Sequence, residues 1–402
     1  MPAQHTFLRN TNALSILQFI RSNGESTRRE IQAFTGLSWA AVSTITAELI
    51  GQKILVERPQ EERLPGRNPN LLDFNITQNL SIGVDVNVEG LTVVLLDLRG
   101  RVLDCASESL NEPEKNAVLM QMTRMTEEVL RKNNLEKNRL LGIGISVQGS
   151  VDKEGAVSVY NRYIRDWKDV NLKEQLEEYF GVPVRVIHDP VCIALTEQCD
   201  NPLLQKEDFA LIRLAFGIGM SYVHRGRTVN GHQGTAGELG RVVMNYGDAG
   251  GLTLEDYCSV RGIARRVYEL CMLDGTVDDV PFLDHDIDSL NRYFQIGSQM
   301  AEQGDTRYVD VFREAAKYLG IGIANLVNIL NPQYIILTGA FLDYNLNFVE
   351  QVRHHARQSA WQFSDFEILI SPQSRLNAAR GAATHFINAA FEDQDSVLLK
   401  RQ

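Results

Sequence analysis

The first apolar pattern in the chain is Ala13, Ile16, Leu17 and Ile20, spaced as one face of an amphipathic helix. Asn23-Gly24 ends it, because glycine tolerates a left-handed C-cap. Thr27-Arg28-Arg29-Glu30 is a capping box that opens a second helix. Ile31 and Phe34 are expected to form the buried side of that helix. Gly36 supplies a tight turn, and Ser38 caps a third helix through its hydroxyl. Val42, Ile45 and Leu49 point inward from the third helix until Gly51 stops it. Ile54–Glu57 and Leu71–Phe74 then read as two strands around a polar loop.

From Leu80 the period changes. Leu80–Val88, Leu91–Asp97 and Arg101–Ser107 are strands rich in β-branched residues. A helix over 116–135, a buried strand Leu141–Val147, a helix Leu172–Phe180 and a strand Val182–Ile187 follow, with a further helix from Val191. The pattern restarts with strands Ala210–Leu214 and Met220–Arg225. Helices over 254–273, 288–303 and 307–330 come next, then strands Tyr334–Thr338 and Phe366–Ile370, and a closing helix Asn377–Phe391. Strands alternating with helices in two similar halves predict an α/β domain of two lobes with a cleft between them. Clefts of that kind hold small ligands. The predicted division is an N-terminal unit over 1–75, with a linker at 59–70, and a two-lobed domain over 76–402.

Three short helices with a glycine in the turn between the second and third, followed by two strands, form the winged helix-turn-helix pattern. Its third helix enters the major groove by its outward N-terminal face. Those positions are Ser38, Trp39, Ala40, Ser43 and Thr44. Hydroxyls suit base edges or phosphates, and alanine permits close approach to thymine methyls. Arg28 and Arg29 fall where the second helix meets the phosphate backbone. Arg67 lies in the Pro- and Gly-rich stretch Gln60–Pro69. It is either a minor-groove contact or part of a plain hinge. A helical domain that binds protein is the alternative for the whole unit.

Charge fits this division. The chain carries a net charge of −11, yet residues 1–58 hold six basic and four acidic side chains, leaving −13 for the rest. An acidic body with a mildly basic head suits a protein that touches DNA through the head alone. No run of about 18 apolar residues is present, so no membrane span is expected. Met1–Asn12 is polar and lacks a secretory apolar core. The five scattered cysteines (Cys105, Cys192, Cys199, Cys258, Cys271) suit free thiols in a reducing, cytoplasmic setting.

Gly234-Thr-Ala-Gly-Glu-Leu-Gly240 is similar to the G-x-A-G-E-x-G-H motif of the ROK family, which groups bacterial repressors and sugar kinases. Gly217-Ile-Gly219, Asn331–Gly339 and Gly381-Ala-Ala383 extend the resemblance, which runs from about Asn10 to Ala390. It implies an actin-like, sugar-kinase-type fold and a dimer or tetramer. The winged head is the repressor layout of the family. Its kinases carry D-x-G-G-T; the matching segment here is Asp85-Val-Asn-Val-Glu-Gly90, without the glycine pair or the threonine that would cradle phosphates. Glu89 adds a negative charge there. G-T-G-I-G has become Ala215-Phe-Gly-Ile-Gly219, and a Gly-Gly pair has become Thr338-Gly339. These departures imply lost phosphoryl transfer and no nucleotide cofactor.

The resemblance also implies site residues. The family's base lies in an Asn-Asp pair, matched by His188-Asp189. Asp189 is either a ligand contact or a helix-capping residue beside Pro190. Asn161, Glu238 and Glu255 match sugar-binding positions, Glu255 being also open to a salt-bridge role. Gly149 and Ser150 follow the Leu141–Val147 strand and can approach a ligand. Arg241 stands where the family's zinc-binding histidine would be, and the segment Tyr246–Thr253 has no cysteine, so no zinc is expected. Arg241 either takes an acidic effector such as a sugar phosphate or pairs with a nearby glutamate.

Three functions are then in view. The favoured one is a dimeric regulator that binds an inverted-repeat operator and senses a small carbohydrate or sugar phosphate. The others are a sugar kinase with an added head, and a regulator gated by a protein partner.

Overall fold

The computed structural model describes residues 2–59, 70–110, 113–247, 250–275, 282–339, 342, 346–372, 374–392 and 397–400. The chain opens with α1 (Pro2–Asn23), α2 (Arg28–Thr35) and α3 (Trp39–Gly51). The Glu30 carboxylate accepts the Thr27 N–H at 2.7 Å, and the Thr27 hydroxyl accepts the Glu30 N–H at 3.3 Å. The Ser38 hydroxyl accepts the Ala41 N–H at 3.2 Å. α2 and α3 meet at 120°, the angle of a helix-turn-helix. Gly36 turns the corner at φ +68°, where a side chain would be strained. Asn70–Phe74 is flanked by Ser26–Thr27 and Leu55–Pro59 in an antiparallel sheet. Arg67 and its loop lie outside the described residues.

Phe34 does not turn inward as its spacing predicts. It is 64% exposed and its ring lies 4.7 Å from that of Phe19. α2 has only eight residues; Ile31 is the one it buries in the head core, and Phe34 falls in its last turn.

The body is built on two five-stranded sheets. The first runs Val184–His188, Leu140–Val147, Leu80–Asn87, Gly90–Leu96, Val102–Glu108, its first three strands parallel. The second runs Arg227–Thr228, Ile218–His224, Phe209–Leu214, Tyr334–Thr338, Glu367–Ile370, its last three parallel. Two helices, Asp189–Asp200 and Asn377–Glu392, pack on each other between the sheets. The helix expected over 254–273 breaks at Ser259, whose hydroxyl accepts the Gly262 N–H at 3.0 Å and restarts it. A helix Leu346–Ser359 and a small sheet of Ser150–Val151, Val157–Tyr160 and Lys168–Asn171 were not legible from periodicity. The segment matched to the family's zinc loop forms a hairpin of Val243–Gly247 with Gly250–Thr253.

The head and body share one hydrophobic cluster. Ile16, Leu17 and Ile20 of α1 join Ala383, Ile387 and Phe391 of the closing helix. Arg21 donates to Asn388 Oδ1 at 2.8 Å, and its guanidinium lies 4.8 Å from the centre of the Phe391 ring. Arg99 pairs with Asp73 at 2.6 Å across the same seam. The apolar face of α1 therefore packs on the head and on the closing helix within one core.

Candidate functional site

A cleft of about 180 Å³ opens between the lobes, and all eight sequence-derived ligand positions line it. Gly149 and Ser150 come from the turn after Leu140–Val147. Asn161 follows the strand Val157–Tyr160. His188 and Asp189 sit where Val184–His188 passes into the helix behind it. Glu238 and Arg241 flank a single helical turn, and Glu255 lies in the first turn of Leu254–Cys258. Gly149 has φ +88°, and a Cβ there would stand 2.1 Å from the Tyr160 carbonyl oxygen, so only glycine lets these two segments meet. The volume is below the roughly 300–1,000 Å³ of drug-sized sites, which suits a small ligand.

Asn161 is the most telling side chain. It is 4% exposed; its Oδ1 accepts the Tyr163 N–H at 2.9 Å, while its Nδ2 is buried without a partner among the described residues. A buried donor left unmade costs free energy until something accepts it. Glu255 is also buried but is satisfied. It accepts the Ile218 N–H at 3.2 Å and is held by Arg261 at 2.6 Å. Arg241 is 61% exposed and reaches Glu238 and Glu255 only at 4.0 and 3.9 Å, so its guanidinium is loosely held. Burial raises the Glu238 carboxyl above its usual range, partly countered by Arg241.

Asp189 does not cap its helix. Its carboxylate is paired with Arg213 Nη1, and its other oxygen lies 3.3 Å from His188 Nε2. Sequence reasoning missed Arg213, a lone charge in the otherwise apolar strand Phe209-Ala-Leu-Ile-Arg-Leu214; that contrast was its available signal. Arg213 lines both the cleft and an adjoining chamber of about 130 Å³ that holds Asp85, Asn87, Glu89, Thr338 and Gly339. Burial pushes the Asp85 carboxyl up, opposed by the positive charge of Arg213. Arg213 reaches from the second sheet to Asp189, at the end of the strand Val184–His188 of the first sheet, and so bridges the lobes. Tyr163 and Phe216, their rings 5.6 Å apart, add an apolar wall suited to the C–H face of a sugar ring. Arg261, which fixes Glu255, was likewise not anticipated.

His188 and His385 are both pushed down to about 4, chiefly by burial, and secondarily by Arg213 and Arg185 respectively. Unfolded, each ring takes its proton near 6.5. Between about 4 and 6.5 the unfolded chain therefore binds more protons, and stability falls as pH drops through that window. Thermal melts at pH 7, 6 and 5 are expected to show a loss of up to about 2 kcal/mol per ring. His188→Gln and His385→Gln should each shrink the drop.

On the head, Ser38, Trp39, Ala40, Thr44 and Arg29 are exposed, and Ser43 is half-buried. Arg28 is engaged: its Nε donates to Thr46 Oγ1 at 2.9 Å, and its terminal nitrogen pairs with Glu57. That hydrogen bond holds the Glu57 carboxyl below its usual range. Arg28 thus fixes α2 to α3 and to the strand Leu55–Pro59.

The xylose repressor of Caldicellulosiruptor bescii is 27% identical over 376 residues, covering 91% of this chain and 93% of that protein. A crystal structure of a ROK family transcriptional regulator, a homologue of the E. coli MLC protein, superposes with a TM-score of 0.76 at 23% identity, covering 98% of this chain and 99% of that one. A ROK family glucokinase from Streptomyces griseus, solved with glucose and AMPPNP, gives a TM-score of 0.61 at 23% identity over 76% of this chain and 99% of its own. Residues 81–389 match the model of the ROK family, and the chain belongs to that family.

Proposed function

We propose that the protein is a carbohydrate-responsive transcriptional regulator without phosphoryl-transfer activity. Residues 1–75 bind duplex DNA and residues 76–402 bind the effector. The observation that carries this reading is the ion pair between Arg213 and Asp189. A general base must be free to take a proton from the substrate hydroxyl. Here the matching carboxylate is buried against a guanidinium that also stands between the sugar cleft and the chamber where phosphates would lie. Asp189 then serves as a hydrogen-bond acceptor, and the output passes through the head.

The effector is a small carbohydrate, or its phosphate where Arg241 supplies the charge. Its hydroxyls meet Asn161 Nδ2, Asp189, Glu238 and Ser150. A ligand spanning the lobes changes their angle only as far as it prefers one arrangement. The closing helix passes that change to α1. In a dimer, two copies of α3 meet successive major grooves, with Ser38, Trp39, Ala40, Ser43 and Thr44 toward bases and Arg29 toward phosphate. Arg28 acts by positioning.

The test is operator capture from genomic fragments, followed by titration with pentoses, hexoses and their phosphates at one salt concentration, since salt alone shifts DNA affinity strongly. One sugar class should change operator affinity. Asn161→Ala should weaken that sugar about tenfold, because a matched donor is lost. ATP-dependent phosphorylation of the same sugar, or failure to retain any duplex at low salt, would overturn the reading.

A further inference from the structure

A second cavity, of about 640 Å³, lies behind the sugar cleft, with His188 as the wall between them. Lys153 and Arg185 line it from the first lobe, Arg227 from the hairpin of the second, and His385 and Asn388 from the closing helix. Of its two carboxylates, Asp152 is already engaged, accepting the Ala156 and Val157 N–H groups at 2.7 and 2.8 Å. Glu392 is exposed at the rim. Arg185 is half-buried, and among the described residues no carboxylate pairs with it or with Arg227. Its stem lies against Gly155, where a Cβ would come within 3.0 Å of Arg185 Cγ and Nε. That glycine has φ +65°. The stem of Arg185 is thus held against Gly155 where the residue lines the cavity.

We propose that this cavity is a second binding site, distinct from the sugar cleft, for a small anion bearing a phosphate or carboxylate group. Arg185 is its principal contact, with Arg227 closing from the other lobe. A planar fork of donors matches either oxyanion. His385, kept neutral by burial, offers a ring nitrogen without adding charge. An anion here touches both lobes and lies against Asn388, the residue that receives Arg21 of α1. Its occupancy therefore stiffens the joint between body and head.

The test is isothermal titration of the full chain with inorganic phosphate and, separately, with malonate. At least one should bind saturably at one site per chain, and which one does so separates phosphate from carboxylate ligands. Arg185→Gln should weaken that binding about tenfold or more, as expected for a lost charge-assisted hydrogen bond. Arg227→Gln, an exposed position, serves the same purpose should Arg185→Gln not fold. Amide exchange in Ala13–Asn23 should slow on binding. No binding by either anion overturns the proposal, as does binding lost with Arg241→Gln but kept with Arg185→Gln. Binding without change in exchange overturns the link to the head.

Discussion

Replacing Arg213 by leucine is expected to cost about 3–5 kcal/mol of folding stability and to abolish the effector response. Asp189 is 4% exposed and Asp85 is 6% exposed. Without the guanidinium Asp189 is buried with its ion-pair partner gone and Asp85 loses the nearby positive charge that opposes its burial, so each must either take a proton or draw water inward. The measurement is the urea midpoint of the full chain, followed by fluorescence and circular dichroism together. A companion variant separates charge from packing. Arg213→Leu with Asp189→Leu removes both partners, and replacing a whole buried pair by apolar groups is often near neutral. The double variant should therefore unfold at a higher urea concentration than Arg213→Leu alone. Equal midpoints for wild type and Arg213→Leu would show that the pair carries no stability. The functional half has its own reading. Arg213 ties the two lobes, so removing it frees their angle from the state of the cleft. Operator affinity should then be the same with and without sugar.

The parts of this molecule that were legible in sequence are those where one local rule decides. Thr27 and Glu30 cap α2 because their spacing allows no better use of both side chains. Leu140–Val147 and Leu80–Asn87 read as strands because both are central and buried on both faces, which keeps their apolar residues dense. The eight cleft residues were found by matching motifs, and chain topology brings them together from six separate elements. What was not legible depends on partners far away in sequence. Arg213 reads as an oddity in its strand until Asp189, 24 residues earlier, folds beside it. Arg28 reads as a phosphate contact until Glu57, 29 residues on, claims it. Phe34 has helical spacing for burial, yet α2 ends before a second layer can cover it. The cavity at Arg185 has no motif, since its lining comes from both lobes and the closing helix.

The closing helix carries the seam between body and head, and Gly381→Ala is expected to destabilise the protein by about 3 kcal/mol or more. A Cβ at 381 would stand 1.7 Å from the Cys192 carbonyl oxygen. Gly83 and Gly144 make equally close approaches from the first sheet, to the Ala379 and Ala382 carbonyl oxygens at 1.8 and 2.0 Å. In each case backbone faces backbone, so no side chain can swing away to relieve the contact. The helix Asn377–Glu392 must then lift from its neighbours, opening gaps that dense packing does not tolerate. Gly51→Ala is the control, because nothing lies within 4 Å of a Cβ there and alanine suits a helix end better than glycine. It should match or slightly exceed wild type in the same urea titration. Ile387 and Phe391 carry the seam with α1, so any Gly381→Ala protein that still folds should hold its head loosely. Its operator affinity should fall even though position 381 is not among the residues proposed to meet DNA. Wild-type stability for Gly381→Ala would mean that the two helices lie further apart than described, and the route from cleft to head would lose its rigid element.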